Sequence, residues 1–502
     1  MSFNQSDIKL CYNQFKMMTE KGLIYSLGAL VGVPEDALRL LIGMLLAYPV
    51  SILYINSPIR YSSANYQHLY FCLTGISIAW WTIDKSCVIH HLVCILVTFI
   101  TLKLFKSSKL VVPFNFFFHL TYLNIGYFLN DSFGPTIAWT TPHCVLCLRL
   151  IGIACDVHDG TIDNKKTDED NKAIRNNRKN SDALKDLPSM LEMISYVFYL
   201  PSYFVGPQFS MAKYRSFIQR NLQKSDTTGS FEFGINRCGL GFLYLGLNVI
   251  GSWFVPIEYV STAEFLESES FLKQSLYFVI WIKAIFAKYM GVWLLADGSV
   301  AISGLGYNGR ERTDWKISWD GVVNVKPWKY ENCGKFMDLV ENVNITTNLW
   351  CKNYVYKRCM KAGFKTLSHV FTMLFLAVWH GLCSGYFLCF FFELFPISFE
   401  KQIIRACDNN PKIKRTVEQH VWMKDVFSML GKLYFLFFFP HCLVPFVLIR
   451  FESYMPILWS TKCLVLTIFG SWFVLQTLVE KLCKMNYGSS SIPVNGEEKK
   501  SN

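Results

Sequence analysis

Between Thr366 and Phe392 the chain carries no Lys, Arg, Asp or Glu, and the segment Phe375-Leu-Ala-Val-Trp-His-Gly-Leu-Cys-Ser-Gly385 lies inside that run. About 20 consecutive apolar residues suffice for an α-helix to cross a bilayer, so the run reads as one membrane-spanning helix. His380 sits near its middle. An imidazole at that depth is expensive to hold, which makes it a functional-site candidate. A histidine that only hydrogen-bonds a neighbouring helix is the equal alternative on depth alone.

Comparable runs recur along the chain. They fall at about Leu38–Ile55, Tyr66–Ile83, Cys87–Phe105, Val111–Leu129, Pro142–Cys155, Met190–Val205, Leu240–Val255, Phe271–Leu295, Val426–Ile449 and Ile457–Leu482. With 52% hydrophobic and only 17% charged residues, the fold class is an all-α, polytopic transmembrane helix bundle of about ten spans rather than a string of soluble domains. The division expected is a polar N-terminal segment (1–37), one transmembrane domain (38–482) and a tail (483–502). A polar stretch at about 156–188, mixed in charge and poor in apolar residues, is expected to be a mobile cytosolic loop. The net charge of +12 comes from Lys and Arg in connecting segments, the positive-inside pattern, and is no nucleic-acid signal. The scattered cysteines, many inside apolar runs such as Cys94, Cys144, Cys147 and Cys389, read as small buried hydrophobes rather than a disulfide framework.

Charges inside the apolar runs need a reason. Arg149 interrupts the short fifth run, so that run is partly re-entrant or buried against protein. Lys283 and Lys288 must face protein or a wet cavity. The His90–His91 pair, near a span end, reads as hydrated or packed rather than catalytic. Lys213, Arg215, Arg220 and Lys224, interleaved with Tyr214 and Phe217, suit a membrane surface or an anionic headgroup, or form a solvated loop.

The strongly polar segment leading up to the His380 run starts at Asn344. Asn344, Thr347 and Asn348 stand at i, i+3 and i+4 and share one face if the segment is helical. Asn344-Ile345-Thr346 also matches an N-glycosylation sequon, a competing reading that requires lumenal exposure.

Taken together, Asn344 with Thr347 and Trp350, followed by Trp379-His380-Gly381, resembles the signature of the membrane-bound O-acyltransferase (MBOAT) family. Pro142-His-Cys-Val-Leu-Cys-Leu-Arg-Leu-Ile-Gly-Ile-Ala-Cys-Asp156, Val205-Gly-Pro-Gln-Phe-Ser-Met211 and Ser303-Gly-Leu-Gly-Tyr-Asn-Gly309 are similar to its lysophosphatidylcholine acyltransferase branch. Val343 and Cys383 depart from that pattern and bear on the choice of substrate. The resemblance implies a helix bundle enclosing a membrane-buried chamber. It also implies transfer of an acyl chain from acyl-CoA to the free sn-2 hydroxyl of a lysophospholipid such as lysophosphatidylcholine, lysophosphatidylethanolamine or lysophosphatidylserine. Acyl-CoA enters as co-substrate, no further cofactor or metal is implied, and the partners are the two substrates and the bilayer.

In that reading His380 is the general base and Asn344 positions a substrate group or stabilises developing charge. Trp379, Ser384, Tyr386, Thr347 and Gln208 are candidate substrate-binding residues. Lys499-Lys500 resembles a dilysine signal for the endoplasmic reticulum membrane, with a cytosolic tail. The rival readings are acylation of a sterol, a diacylglycerol or a protein, and a transporter that relays protons through His380 and Lys283.

Overall fold

The computed structural model describes residues 22–130, 137–167, 182–219, 227–310, 316–411, 415–416, 419–472 and 475. Lys499 and Lys500, most of the segment after Trp472, and the middle of the 156–188 loop lie outside them. The described chain is helical, and its only β pairings are the isolated bridges Arg310–Ile317 and Val325–Val343. Five described helices are long and apolar enough to cross a membrane: Glu35–Asn56, Lys85–Phe105, Ser230–Phe254, Phe271–Ser303 and Trp422–Leu448. Ala64–Thr82, Val111–Leu129, Thr140–Thr167 and Ser384–Asp408 have comparable length with more polar faces. Together they make a multi-pass membrane protein.

Local chemistry sets the helix starts. The Asp84 carboxylate accepts from the Cys87 N–H at 2.8 Å ahead of Lys85–Phe105. Ser189 and Glu192 form a reciprocal capping box on Met190–Val197, which satisfies amide groups a helix would otherwise leave open. Small residues set the closest packing. A Cβ on Gly241 would lie 3.1 Å from the Gly291 carbonyl, and one on Gly234 would lie 2.7 Å from that of Gly298. Ser230–Phe254 and Phe271–Ser303 therefore approach backbone to backbone, the arrangement that replaces hydrophobic drive inside a bilayer.

Phe271–Ser303 is the axis of the molecule. Its 33 residues rise about 50 Å. Its C-terminal part, with Leu295 and Val300, joins a core shared with the first five long helices and with residues 184–218. Its N-terminal part, with Phe278, Trp281 and Met290, joins a second core shared with Tyr244, Phe336, Phe435 and Tyr454. A third, smaller core lies between Val111–Leu129, Thr140–Thr167, Ile345–Cys351 and Ser368–His380.

The Thr366–Phe392 run is not one helix. Ser368–His380 ends at Gly381, whose backbone (φ 133°, ψ 163°) lies where L side chains rarely go, and a new helix runs Ser384–Asp408. The two fold back on each other: His369 Nε2 lies 3.4 Å from Lys401 Nζ, while the His380 and Phe390 rings are 5.5 Å apart. The turn stays apolar, with Gly381 buried and Leu382 exposed, so hydropathy could not distinguish a hairpin from a span. His380 is accordingly the last residue of a helix, not the middle of one.

Arg149, Lys283 and the His90–His91 pair are answered by protein, while Lys288 lies over the Tyr289 ring. Arg149 is fully buried, and its Nη1 and Nη2 donate to the carbonyls of Tyr196 (2.9 Å), Val197 (2.8 Å) and Ser202 (2.9 Å) and to Ser202 Oγ (2.6 Å). The guanidinium thereby closes the C-terminal end of Met190–Val197, where carbonyls lack helical partners. Lys283 pairs with Glu331 at 2.6 Å and lies over the Tyr330 ring. His90 hydrogen-bonds Tyr122 at 2.7 Å and stacks on Trp139, and His91 bonds Tyr203 at 2.8 Å. Both are packed. Arg215 is tied to Glu192 at 2.6 Å, whereas Arg220 and Lys224 lie outside the described residues.

Candidate active site

Asn344 adopts a left-handed backbone (φ 49°, ψ 38°) immediately before the Ile345–Cys351 helix. Such a conformation costs a non-glycine residue of order 1–2 kcal/mol, and here both neighbours enforce it. Val343 bridges Val325, and the Ile345 N–H donates to the Asn324 carbonyl at 3.0 Å. The Asn344 amide has no hydrogen-bond partner among the described residues, and the residue is half-buried. It precedes the helix rather than lying in it, which corrects the expected shared face. Thr347 is buried one turn on, and the Asn348 amide is used up on the carbonyls of Val340 (2.9 Å) and Val343 (3.0 Å).

His380 is enclosed by rings: Trp379 at 4.7 Å, Phe446 at 5.0 Å, Tyr386 at 5.4 Å and Phe390 at 5.5 Å between centroids. Its imidazole nitrogens have no partner among the described residues, and the residue remains partly accessible. Trp379 serves the scaffold, its indole N–H donating to the Cys144 carbonyl at 2.9 Å. Two further donors reach the same turn, Asn124 to the Val378 carbonyl (3.0 Å) and Tyr127 to that of Trp379 (3.4 Å). They occupy carbonyls the helix end leaves free. Ser384 is exposed and accepts from the Tyr454 hydroxyl at 3.0 Å. It rims an apolar groove of about 840 Å³ beside the hairpin, lined by Ala377, Leu382, Phe387 and Phe390.

The Asn344 and His380 elements run antiparallel, and their register can be read from ring contacts. Tyr356 meets His369 at 4.8 Å and Trp350 meets Phe375 at 5.4 Å, a six-residue step on each element. One more step of the same size brings Asn344 level with the His380–Gly381 junction. Thr140–Thr167 provides a second ruler. Arg358 bonds Asp159 (2.8 Å), Tyr354 bonds Asp156 (2.8 Å), and a Cβ on Gly152 would lie 3.2 Å from Trp350 Nε1. Continuing that series sets Asn344 near residue 146, two residues from the Cys144 carbonyl that holds Trp379. Both rulers agree. Extrapolated this way, the two residues fall at one level, each with an unused polar group, and no hydrogen bond joins them among the described residues.

Gln208 lies elsewhere, in a polar cleft of about 230 Å³ that also includes Gly152, Asp156, Lys213, Thr346 and Trp350. The Gln208 N–H donates to Thr346 Oγ1 at 2.9 Å, and the Thr346 hydroxyl donates in turn to the Asn324 amide oxygen, which links this cleft to the strap that holds Asn344. Burial holds the Lys213 ammonium below its usual pKa range, although Asp320 and Asp182 pull it upward. Reading the chain residue by residue missed Trp350 as a cleft residue. Its indole N–H is buried without a partner, and only the packing against Gly152 reveals that.

Comparison with known proteins fits this arrangement to a lineage. The model of a family described as "MBOAT, membrane-bound O-acyltransferase family" matches residues 124–439, which include the Asn344 strap and the hairpin. The Drosophila melanogaster protein named lysophospholipid acyltransferase 5 is 31% identical over 96% of this chain and 94% of its own length. The human protein of the same name is 33% identical over 77% of each chain, and a Schizosaccharomyces pombe lysophospholipid acyltransferase is 31% identical over 72% of this chain and 70% of its own.

Proposed function

The chain belongs to the membrane-bound O-acyltransferase family, and from that premise we propose that it is an acyl-CoA:lysophospholipid O-acyltransferase whose reaction centre is the level shared by His380 and Asn344. The observation that carries the site assignment is the pair of unused polar groups at that level. Both residues are partly accessible, so the open polar groups at a strained residue and at a helix end are within reach of a substrate.

In the proposed step a neutral His380 nitrogen takes the proton of the sn-2 hydroxyl as that oxygen attacks the thioester carbonyl carbon. The C–O bond forms, the C–S bond breaks, and the departing thiolate regains the proton from the imidazolium. The Asn344 side-chain N–H donates to the carbonyl oxygen while it carries negative charge, an interaction worth roughly 3–4 kcal/mol in a dry site. The rings around His380 keep water from the thioester, and the apolar groove along the hairpin suits an acyl chain.

Lysophosphatidylcholine, lysophosphatidylethanolamine and lysophosphatidylserine are the acceptors to try, and a location in the endoplasmic reticulum membrane belongs to the same proposal. The relay reading loses ground because Lys283 is engaged by Glu331. The deciding experiment gives purified protein in lipid nanodiscs labelled acyl-CoA with each lysophospholipid. Diacyl product is expected, and its absence with all three acceptors, or full activity in His380→Ala, sinks the reading. A glycosidase-sensitive mass shift mapped to Asn344 would remove that residue from the mechanism.

A further inference from the structure

Asp297 is fully buried in Phe271–Ser303, the axis of the molecule, and the chemistry proposed above gives it no task. A carboxyl group at such a position is costly to keep and needs a reason. Its Oδ1 accepts from the Asn324 N–H at 2.9 Å, and its Oδ2 has no partner among the described residues. Arg237 stands beside this junction on Ser230–Phe254, since a Cβ added to Gly298 would lie 3.2 Å from Arg237 Cβ. Its Nη1 donates to the Val325 carbonyl at 3.0 Å. Ionisable groups from two closely packed helices thus hold two consecutive buried residues, Asn324 and Val325.

Those two residues grip Asn344 from both sides. The Asn324 carbonyl accepts from the Ile345 N–H at 3.0 Å, and its amide oxygen accepts from the Thr346 hydroxyl. Val325 bridges Val343, and the Lys326 N–H donates to the Asn342 carbonyl at 2.9 Å. Asn344 lies between these ties at φ 49°. A left-handed asparagine persists only when its surroundings over-determine it, and the strap can impose that conformation only while it is itself fixed.

We infer that Asp297, assisted by Arg237, is a positioning residue that aims the Asn344 amide at the reaction centre by anchoring the Asn324–Val325 strap to the axis helix. The inference rests on the role proposed above for Asn344 and adds what sets its place. Packing alone does not call for a carboxyl here: Leu294, Leu295, Val300 and Ala301 on the same helix are apolar and fully buried. An apolar side chain at 297 would leave the buried Asn324 N–H unanswered. A hydrogen bond also fixes the height of the strap along the helix, which an apolar contact does not.

The test is a double-mutant cycle on kcat in nanodiscs, with acyl-CoA and lysophosphatidylcholine as substrates. Asp297→Leu removes the acceptor and is expected to lower kcat up to about hundredfold, the cost of misplacing a reacting group by about 1 Å, with KM for either substrate moving less than about threefold. Asp297→Asn keeps an acceptor oxygen and should recover most of that loss. In an Asn344→Ala background, Asp297→Leu should cost less than about threefold, because the group it aims is gone. Arg237→Met, at a partly exposed position, removes the second tie and enters the same cycle; it decides the matter if Asp297→Leu does not fold. Either substitution should also speed hydrogen–deuterium exchange across residues 343–347 by about tenfold, the worth of about one hydrogen bond, and leave residues 376–386 unchanged.

Equal losses of kcat in the two backgrounds would overturn the inference and make Asp297 a support of the whole bundle. A loss carried by KM with kcat retained would overturn it as well, and so would unchanged exchange at residues 343–347, a readout that needs no activity. Unaltered protein that forms no diacyl product, with exchange responding as expected, instead defeats the function proposed above and leaves the anchoring of Asn344 standing.

Discussion

Arg149 and His380 are both polar groups enclosed by aromatic side chains, yet the fold treats them in opposite ways. The Arg149 guanidinium makes four hydrogen bonds to the Tyr196–Ser202 turn and lies 5.3 and 5.0 Å from the ring centroids of Tyr196 and Phe209. His380 has four rings around it and no hydrogen bond among the described residues. Three other histidines of the bundle resemble Arg149 in this respect. His68 bonds Ser195 (2.7 Å), His119 bonds Thr98 (2.8 Å) and His441 bonds the Phe437 carbonyl (2.8 Å). Burial therefore does not separate structure from function in a membrane protein. The extent of unspent hydrogen-bonding capacity does: Arg149 Nε, His119 Nδ1 and His143 Nδ1 also lack partners, but each of those side chains is held through another atom, and His380 through none among the described residues.

Substitutions can break that contrast. The largest effect belongs to His380→Ala, expected to lower kcat by about 10²–10⁴, the usual worth of general acid–base catalysis, while the thermal midpoint in detergent falls only by the ring packing removed, because no hydrogen bond is lost. A large fall in the midpoint with kcat retained would make His380 another Arg149. Arg149→Met should do the reverse. It strands the carbonyls of Tyr196, Val197 and Ser202, and it is expected to cost about 3–5 kcal/mol of stability, read as a collapse of the unfolding midpoint or of soluble yield.

Asn344 sharpens the comparison because its backbone and its amide act separately. Asn344→Ala should lower kcat by roughly 3–4 kcal/mol of transition-state stabilisation, as should Asn344→Gly. Asn344→Gly should be the more stable of the two by about 1 kcal/mol, since only glycine is at ease at φ 49°. Equal midpoints would mean that the strap relaxes around alanine. Gly381→Ala follows, with a strain of about 1–3 kcal/mol at φ 133° that should show as a drop in kcat exceeding the drop in midpoint, because the turn aims His380. Smallest is Lys283→Met. Its partly exposed pair with Glu331 is worth at most about 1 kcal/mol, so acyl transfer should survive, and its loss would revive a role for Lys283 in the chemistry.

What could be read from the chain and what could not divide along the same line. Helical, membrane-embedded architecture is a property of composition and run length, and it was legible. So were Asn344 and Trp379-His380-Gly381, because their residue types are costly where they stand and their order resembles a family pattern. The hairpin was hidden because apolarity reports burial and not continuity; Gly381 was the one local sign of it. Arg149 announced itself as a problem, but its solution lies about fifty residues away on a turn that no periodicity predicts. The left-handed Asn344 depends on bridges to Asn324 and Val325, and the open atoms of Gln208 and Trp350 depend on three elements meeting. Neither is written in any single stretch.

The fold-back at Gly381 also changes the bookkeeping of sides. A single helix through Thr366–Phe392 would carry the chain from one compartment to the other, an odd number of crossings. A hairpin makes that number even, which would return the residues before Ser368 and after Asp408 to the same compartment. Cys359, partly covered, and the exposed Cys407 flank the hairpin and are native reporters of this parity: a membrane-impermeant thiol reagent applied from one side of sealed vesicles should reach both or neither.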